Sequence, residues 1–308
     1  MTAFRLAAVI VTYDRLDQLK VTLPRVLAEA CDHIIVVDNG STDGSRDWLA
    51  KQDDPRLQVL LPKENLGGAG GFERGMRFAV AKFNPDWVVV MDDDARPDVG
   101  AIAAFRAADL SGWDAVAAAV YYPDGRICDM NRPVLNPFWH ARAFLRTAFG
   151  GGREGFHLRP ADYNKAARPV DGASFVGLFV SRAAIARVGY PDGRLFLYGD
   201  DGLYTLGLTK AGGRIGFLPQ VRFQHDCSTF QPGAGRFRPL WKVYYYHRNL
   251  LFLYRLAAGW LFWPALLVVL PKWALKGRHH SGERREFYGL LWCAVRDGIF
   301  GRIPGKPL

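Results

Sequence analysis

The sequence predicts an α/β protein: a mostly parallel, Rossmann-like sheet with helices on both faces, followed by a helical, membrane-associating C-terminal segment. Three observations predict it. Short apolar runs of strand length alternate with segments of helical period over residues 6–120. Polar and glycine-rich groups gather just after those runs, where parallel sheets bind their ligands. The charge sits at one end: residues 236–308 hold 13 of the 40 Lys and Arg but 3 of the 30 Asp and Glu. The whole net charge of +10 therefore resides there, and residues 1–235 balance at 27 of each sign. Two regions follow, a nucleotide-binding domain over 1–235 and a basic, aromatic-rich helical region over 236–308.

Taken in order, residues 6–12 are an apolar run of strand length. Over 16–30, Leu16, Leu19, Leu23, Val26 and Leu27 fall at helical spacing. Residues 33–38 are β-branched and end in Asp38, predicting a second strand. A helix is expected over 43–50, with Ser41 or Asp43 as its cap, and a strand over 57–61. Residues 68–82 read as a helix with a glycine-rich start, and 87–91 as a strand running into Asp92-Asp93-Asp94. A helix over 98–110 and a strand over 115–120 complete the alternation. Strands so apolar need helices above and below them. Residues 121–170 mix Pro, Gly, Arg and aromatics without period, predicting loops and short elements that act as a lid. Structure resumes at 170–180, with a helix over 201–211 and a strand near 215–218.

The chain has 308 residues, 49% hydrophobic and 23% charged, which excludes disordered and fibrous classes. Such a length buries a large core without covalent staples. Cys31, Cys128, Cys227 and Cys293 show no zinc spacing, so reduced thiols in a cytoplasmic protein are expected. The start, Met1-Thr-Ala-Phe-Arg-Leu6, runs straight into a strand, giving no expectation of a secretory leader. A nucleic-acid binder would also be basic but would rarely carry the apolar run of residues 260–270, so no nucleic-acid partner is expected. The longest uncharged stretch, 256–271, has 16 residues, short of the roughly 20 a bilayer span needs. Interfacial helices or a re-entrant hairpin fit better, with an ordinary core or a homo-oligomer surface as the other readings. Trp260, Trp263, Trp273 and Trp292, flanked by Lys272, Lys276, Arg278, Arg284 and Arg285, predict an anchor on an anionic cytoplasmic membrane face.

The motifs carry the chemistry. Asp92-Asp93-Asp94 follows an apolar strand, and three adjacent carboxylates there repel unless a cation shares the site. Alternate residues of an extended segment face one way, so Asp92 and Asp94 can share one ion. Oxygen ligation favours Mg²⁺ or Mn²⁺, which also hold substrate phosphates. The alternative is a solvated acidic turn. Asp38 can accept hydrogen bonds from a ribose or base edge, or merely cap its turn. Asn65-Leu-Gly-Gly-Ala-Gly-Gly71 opens a helix and can bring backbone N–H groups to a phosphate, or simply turn tightly. It matches neither the ATPase nor the NAD loop pattern. Asp200 and Asp201 precede a helix, a setting for an ionised base or for a cap. His225 follows the last strand and can join an Asp-bound ion through a ring nitrogen, or be structural. Together these groups suit displacement of a nucleoside diphosphate from a sugar.

The order of Val11-Thr-Tyr-Asp14, Val36-Val-Asp-Asn-Gly-Ser-Thr-Asp-Gly44, the 65–71 run, Asp92–Asp94, Asp200-Asp201 and His225 resembles glycosyltransferase family 2 over residues 5–250. The 65–71 run followed by Phe72, and Tyr244-Tyr-Tyr-His-Arg-Asn249, are similar to the galactofuranosyl- and rhamnosyltransferase branch. The resemblance implies a GT-A fold and an inverting mechanism with a nucleotide-sugar donor. It implies Thr12, Tyr13, Asp14 and Asp38 around the nucleoside, Asn65 and Gly68 near the donor, and Asp93 at ribose or sugar. Asp92, Asp94 and His225 would hold Mn²⁺ or Mg²⁺. Asp201, rather than Asp200, aligns with the family base. Gly202-Leu-Tyr-Thr-Leu-Gly207 lacks the acid and Arg frequent there, and no QxxRW occurs, against a processive synthase. The implied reaction moves galactofuranose from UDP-galactofuranose to a cell-surface polysaccharide or lipid-linked glycan at the inner face of the membrane. Rhamnose from dTDP-L-rhamnose is the second donor, and a sugar-phosphate nucleotidyltransferase or a non-catalytic membrane scaffold are the readings of another class.

Overall fold

The computed structural model describes residues 4–227 and 236–304. The expected boundary between regions falls beside residues 228–235, outside the described residues. Nine strands form one sheet: β1 (Leu6–Thr12), β2 (His33–Asp38), β3 (Leu57–Leu60), β4 (Trp87–Asp92), β5 (Ala95–Pro97), β6 (Ala115–Tyr121), β7 (Arg168–Val170), β8 (Leu178–Ser181) and β9 (Ile215–His225). Their order is β3-β2-β1-β4-β8-β6-β9-β5, with β7 also on β9. Ten α-helices accompany them among the described residues: α1 (Leu16–Leu27), α2 (Ser45–Leu49), α3 (Gly67–Phe83), α4 (Ala101–Ala107), α5 (Ala141–Arg146), α6 (Arg182–Val188), α7 (Asp200–Lys210), α8 (Lys242–Ala258), α9 (Phe262–Leu275) and α10 (Arg284–Phe300).

Side-chain alternation splits the core between the two faces. Ala8, Ile10, Ile34 and Val36 pack with Leu19 and Leu23 of α1 and Phe105 of α4. Val9, Val11, Ile35 and Val37 pack with Phe72 and Met76 of α3. Parallel register sets Thr12 level with Asp38, and Val11 level with Asp92. The polar strand ends thus collect along one edge of the sheet, which is what positions the site.

The expected alternation holds for β1 to β4, and the sheet is more mixed beyond them. The stretch 170–180 is not one strand. Its two ends are β7 and β8, both antiparallel to their neighbours, and β8 lies between β4 and β6. β9 runs seven residues past its expected end, to His225, because Gln220 and Arg222 face solvent while Val221 and Phe223 are buried, a one-faced strand pattern. The helix expected over 98–110 is shortened to α4. Glu29 supplies its start, accepting from the Gly100 and Ile102 N–H groups at 2.7 and 3.0 Å.

Helices α8 and α10 pack together, and α8 also lies against α7. Residues 242–279 form a nearly continuous helical stretch that is long and apolar enough to cross a bilayer, interrupted at Gly259. Its first part is committed elsewhere: Val243, Tyr244, Tyr245, Arg248, Asn249 and Leu251 are buried in the protein. That leaves α9, whose 14 residues at about 1.5 Å each reach about 21 Å, less than the ~30 Å hydrocarbon core. One expected anchor is corrected. Trp273 is buried against His247 and Tyr254, because its side of α9 faces α8. Trp260, Trp263 and Trp292 are exposed.

Candidate active site

Asp92 closes β4, and Asp93 and Asp94 form a turn into β5. The acids therefore do not sit on one extended segment, as strand alternation would have it. The chain must bend there because β4 pairs with β1 and β8, while β5 pairs with β9. That bend aligns Ala95 with His225, and the His225 Nε2 comes to lie 3.1 Å from Asp94 Oδ1. Arg15, at the start of α1, reaches Asp94 Oδ2 at 2.9 Å and Asp93 Oδ1 at 3.4 Å. Asp93 also accepts the Thr12 hydroxyl at 2.7 Å.

The electrostatics follow from burial. Burial and the charge of Asp94 push the Asp92 carboxyl well above the usual range, and Asp200 adds to the effect. Burial lifts Asp93 to about 7 against the pull of Arg15. Burial alone would strip the proton from His225, but its hydrogen bond with Asp94 outweighs this and holds the ring protonated up to about 12. The carboxylates are thus balanced by the guanidinium and the imidazolium, which marks the pocket as one that demands positive charge. Asp92, Asp94 and the His225 Nε2 are hard oxygen and nitrogen donors, a set that fits Mn²⁺ or Mg²⁺.

Asp38 is fully buried. Its Oδ1 accepts the Gly40 and Ser41 N–H groups at 2.9 and 2.7 Å, the expected turn. Its Oδ2 is buried with no hydrogen-bond partner, an orphan that is costly unless a ligand donates to it. Tyr13 follows Thr12, the strand end level with Asp38, and is half exposed. Asp14, at φ +50°, accepts from the Thr42 N–H at 2.6 Å and so fastens the loop after β1 to the loop after β2.

The glycine run also serves packing. Asn65 Oδ1 accepts the Gly67 N–H at 2.7 Å. A Cβ on Gly67 would lie 2.0 Å from the Phe196 carbonyl oxygen, and one on Gly71 would lie 2.5 Å from Val11. These glycines let α3 settle on β1 and on the 195–199 loop. Gly68 alone in this run would point a Cβ into open space, so it is the position free to meet a donor.

Asp200 and Asp201 begin α7 behind Gly199, whose φ is +76°. Burial raises both carboxyls, and the charge of Asp201 helps lift Asp200 to about 7. Asp201 Oδ1 accepts the Gly202 N–H at 2.6 Å. The charge of Asp200 is felt at Asp92, so the pair stands within electrostatic reach of the acidic turn. The preceding loop is strained, with Phe196 and Tyr198 both at φ +68°. Asn249 Nδ2 lies 3.1, 2.8 and 2.8 Å from the Leu195, Leu197 and Tyr198 carbonyls, and Arg248 donates to Leu195 O at 2.9 Å. The Ala69 N–H donates to Phe196 O at 3.2 Å, tying this loop to the glycine turn. Sequence reasoning noticed the 244–249 run but gave it no task, and it missed Arg15, which directly follows the Val11–Asp14 motif.

Residues 7–157 match the family described as Glycosyl transferase family 2. A galactofuranosyltransferase GlfT1 of Mycolicibacterium smegmatis is 30% identical over 304 residues, covering 94% of this chain and 94% of that protein. An N-acetylglucosaminyl-diphospho-decaprenol L-rhamnosyltransferase of Mycobacterium tuberculosis is 28% identical over 265 residues, covering 79% and 80%. Among solved structures, the mannosyltransferase PcManGT of Pyrobaculum calidifontis, in complex with GDP-Man and Mn²⁺, superposes with a TM-score of 0.53 at 17% identity, over 98% of this chain and 88% of that one. That likeness supports the GT-A fold. With a 30% identical relative aligned over 94% of both chains and the family match over residues 7–157, the chain is a glycosyltransferase and belongs to glycosyltransferase family 2.

Proposed function

We propose that this enzyme is inverting and metal-dependent, and that it moves galactofuranose from UDP-galactofuranose to a hydroxyl of a cell-surface polysaccharide or lipid-linked glycan. What supports the reading is the contact of His225 with Asp94 beside Asp92, the unpartnered Asp38 oxygen, and a buried acid pair on α7 whose charge reaches Asp92. Asp92, Asp94 and His225 hold the divalent ion, which when bound neutralises charge on the leaving nucleoside diphosphate. Asp38 accepts from the nucleoside, Thr12 and Tyr13 flank it, and Asn65 and Gly68 face the donor. Thr12 holds Asp93 at the ribose or sugar side. The acceptor oxygen bonds to the anomeric carbon from the face opposite the diphosphate, whose bond to that carbon breaks. The hydroxyl proton passes to Asp201, with Asp200 as its coupled neighbour. Attack from the opposite face inverts the anomeric centre.

The full-length 30% relative supports galactofuranose as the donor sugar, and the 28% relative supports L-rhamnose from dTDP as the second reading. A panel of sugar nucleotides with Mn²⁺ or Mg²⁺ separates them. UDP-galactofuranose is expected to be consumed and its sugar transferred, and Asp94→Ala is expected to lose metal-dependent donor binding. Consumption of dTDP-L-rhamnose alone replaces the sugar. No turnover of any sugar nucleotide ends the proposal.

We also infer that the enzyme works at the inner membrane face, as a lipid-linked acceptor requires. Trp260, Trp263 and Leu267 are 80%, 59% and 78% exposed and recur every three to four residues, with exposed Lys272, Arg278, Arg284 and Arg285 nearby. Aromatic and apolar groups rimmed by cations suit an anionic interface. Replacing these three by Ser should lower co-sedimentation with anionic vesicles by at least about tenfold while donor hydrolysis persists. Unchanged sedimentation, or a stable dimer that hides this face, would count against it.

A further inference from the structure

Behind His225, on the side away from Asp94, four donor atoms converge. The Cys128 Sγ lies 3.9 Å from the Cys227 Sγ and 3.9 Å from the His225 Nδ1. The Asn131 Oδ1 lies 2.7 Å from the same ring nitrogen and 2.9 Å from the Cys128 Sγ. The sulfurs and the nitrogen all fall within 4.8 Å of one another. Zinc–sulfur bonds of about 2.3 Å give a tetrahedron S···S edges of about 3.8 Å, so the two sulfurs already stand at the spacing of a ligand pair, while the Asn131 Oδ1 holds hydrogen-bond distances to its neighbours. His225 and Cys227 stand two residues apart at the end of β9, and the short helical turn Asp129–Asn131 brings Cys128 and Asn131 against them. Cys128 and Asn131 are buried. Sequence spacing could not show this, since the two cysteines are 99 residues apart.

We propose that Cys128, Cys227 and the His225 Nδ1 form a three-ligand binding site for a thiophilic divalent cation, zinc, separate from the carboxylate set. Thiolates are soft donors that favour zinc, whereas Mg²⁺ and Mn²⁺ favour oxygen. Loading releases the two thiol protons and the Nδ1 proton of the imidazolium, whose freed lone pair binds the ion. The remaining ring proton then sits on Nε2 and is donated to Asp94 Oδ1, the carboxylate–histidine–zinc arrangement. A neutral imidazole has one free lone pair, so zinc on Nδ1 withholds Nε2 from an ion at Asp92 and Asp94. Zinc therefore antagonises the metal-dependent reaction through a shared histidine. That consequence rests on the proposed function, while the site itself does not.

The test uses the reduced full-length chain and Co²⁺ as a spectroscopic stand-in for zinc, with no sugar nucleotide present. Stoichiometric Co²⁺ should produce the intense visible bands of tetrahedral cobalt–thiolate, and Zn²⁺ should bleach them. Cys128→Ser and Cys227→Ser should each lose the bands and weaken zinc binding by more than about 100-fold, beyond what loss of an outer-shell partner does. Asp92→Asn should keep both. No thiolate bands in the wild type, or bands that survive in both serine variants, overturns the site. So does a thiol count that falls by two in air without cobalt uptake, which makes the pair a disulfide couple. Zinc should inhibit Mn²⁺-dependent donor turnover in the wild type but not in Cys227→Ser, and equal inhibition overturns the antagonism even where the cobalt spectrum holds.

Discussion

Asp201→Asn should bind the sugar nucleotide and its ion as the wild type does and lose transfer by roughly 10²- to 10⁴-fold, the usual contribution of a general base. The amide keeps the size of the carboxylate and its place as acceptor for the Gly202 N–H, so folding should be little affected. Single-turnover transfer and donor binding by calorimetry check the two halves separately. Wild-type transfer in Asp201→Asn, with loss in Asp200→Asn, moves the base to the first acid. Wild-type transfer in both removes the pair from the reaction. The same geometry fixes the pH response. Burial raises both carboxyls, and the charge of Asp201 adds to the rise at Asp200. The ionised base is therefore lost as pH falls through its raised pKa, and the acid limb of transfer should lie above the ordinary carboxylate value of about 4.

Asn249→Ala should be the most damaging change outside the pocket. Its side-chain nitrogen serves three carbonyls of the 195–199 loop, where two non-glycine residues sit at positive φ. Strain of that kind persists only while surrounding groups hold it. Losing the amide should destabilise the protein by about 2–4 kcal/mol, from unpartnered carbonyls and the gap left behind. Release of the loop should displace Asp200 and Asp201, and displacements near 1 Å cost about 10²-fold in rate. Donor hydrolysis, transfer and thermal unfolding report these effects. Asn249→Asp keeps the shape without the donors and should fail as Ala does. An active Asp variant would show that shape, and not hydrogen bonding, holds the loop.

Much of this was legible along the chain because β1, β2 and β4 are long apolar runs that end in polar groups. Parallel register alone brings Thr12, Asp38 and Asp92 to one edge. β5, β7 and β8 were not legible as antiparallel additions, since three or four residues carry too little period to show direction. Consequently the bend at Asp93, and the contact of His225 with Asp94 that depends on it, could be expected only from resemblance. Helical period marked an amphipathic end, but it could not tell that Trp273 faces inward while Trp263 faces out. Arg15 and the Cys128–Cys227 approach are purely tertiary, and no spacing rule reaches them.

The contact of Gly67 with the Phe196 carbonyl bears on how such an enzyme can be diversified. A side chain introduced there to reshape the cradle for the activated sugar would shove aside the strap that carries the proton acceptor. Donor preference and turnover are thus welded together at this turn, by evolution or by an engineer alike. Gly68, one step along and facing open space, is where the two can be tuned apart.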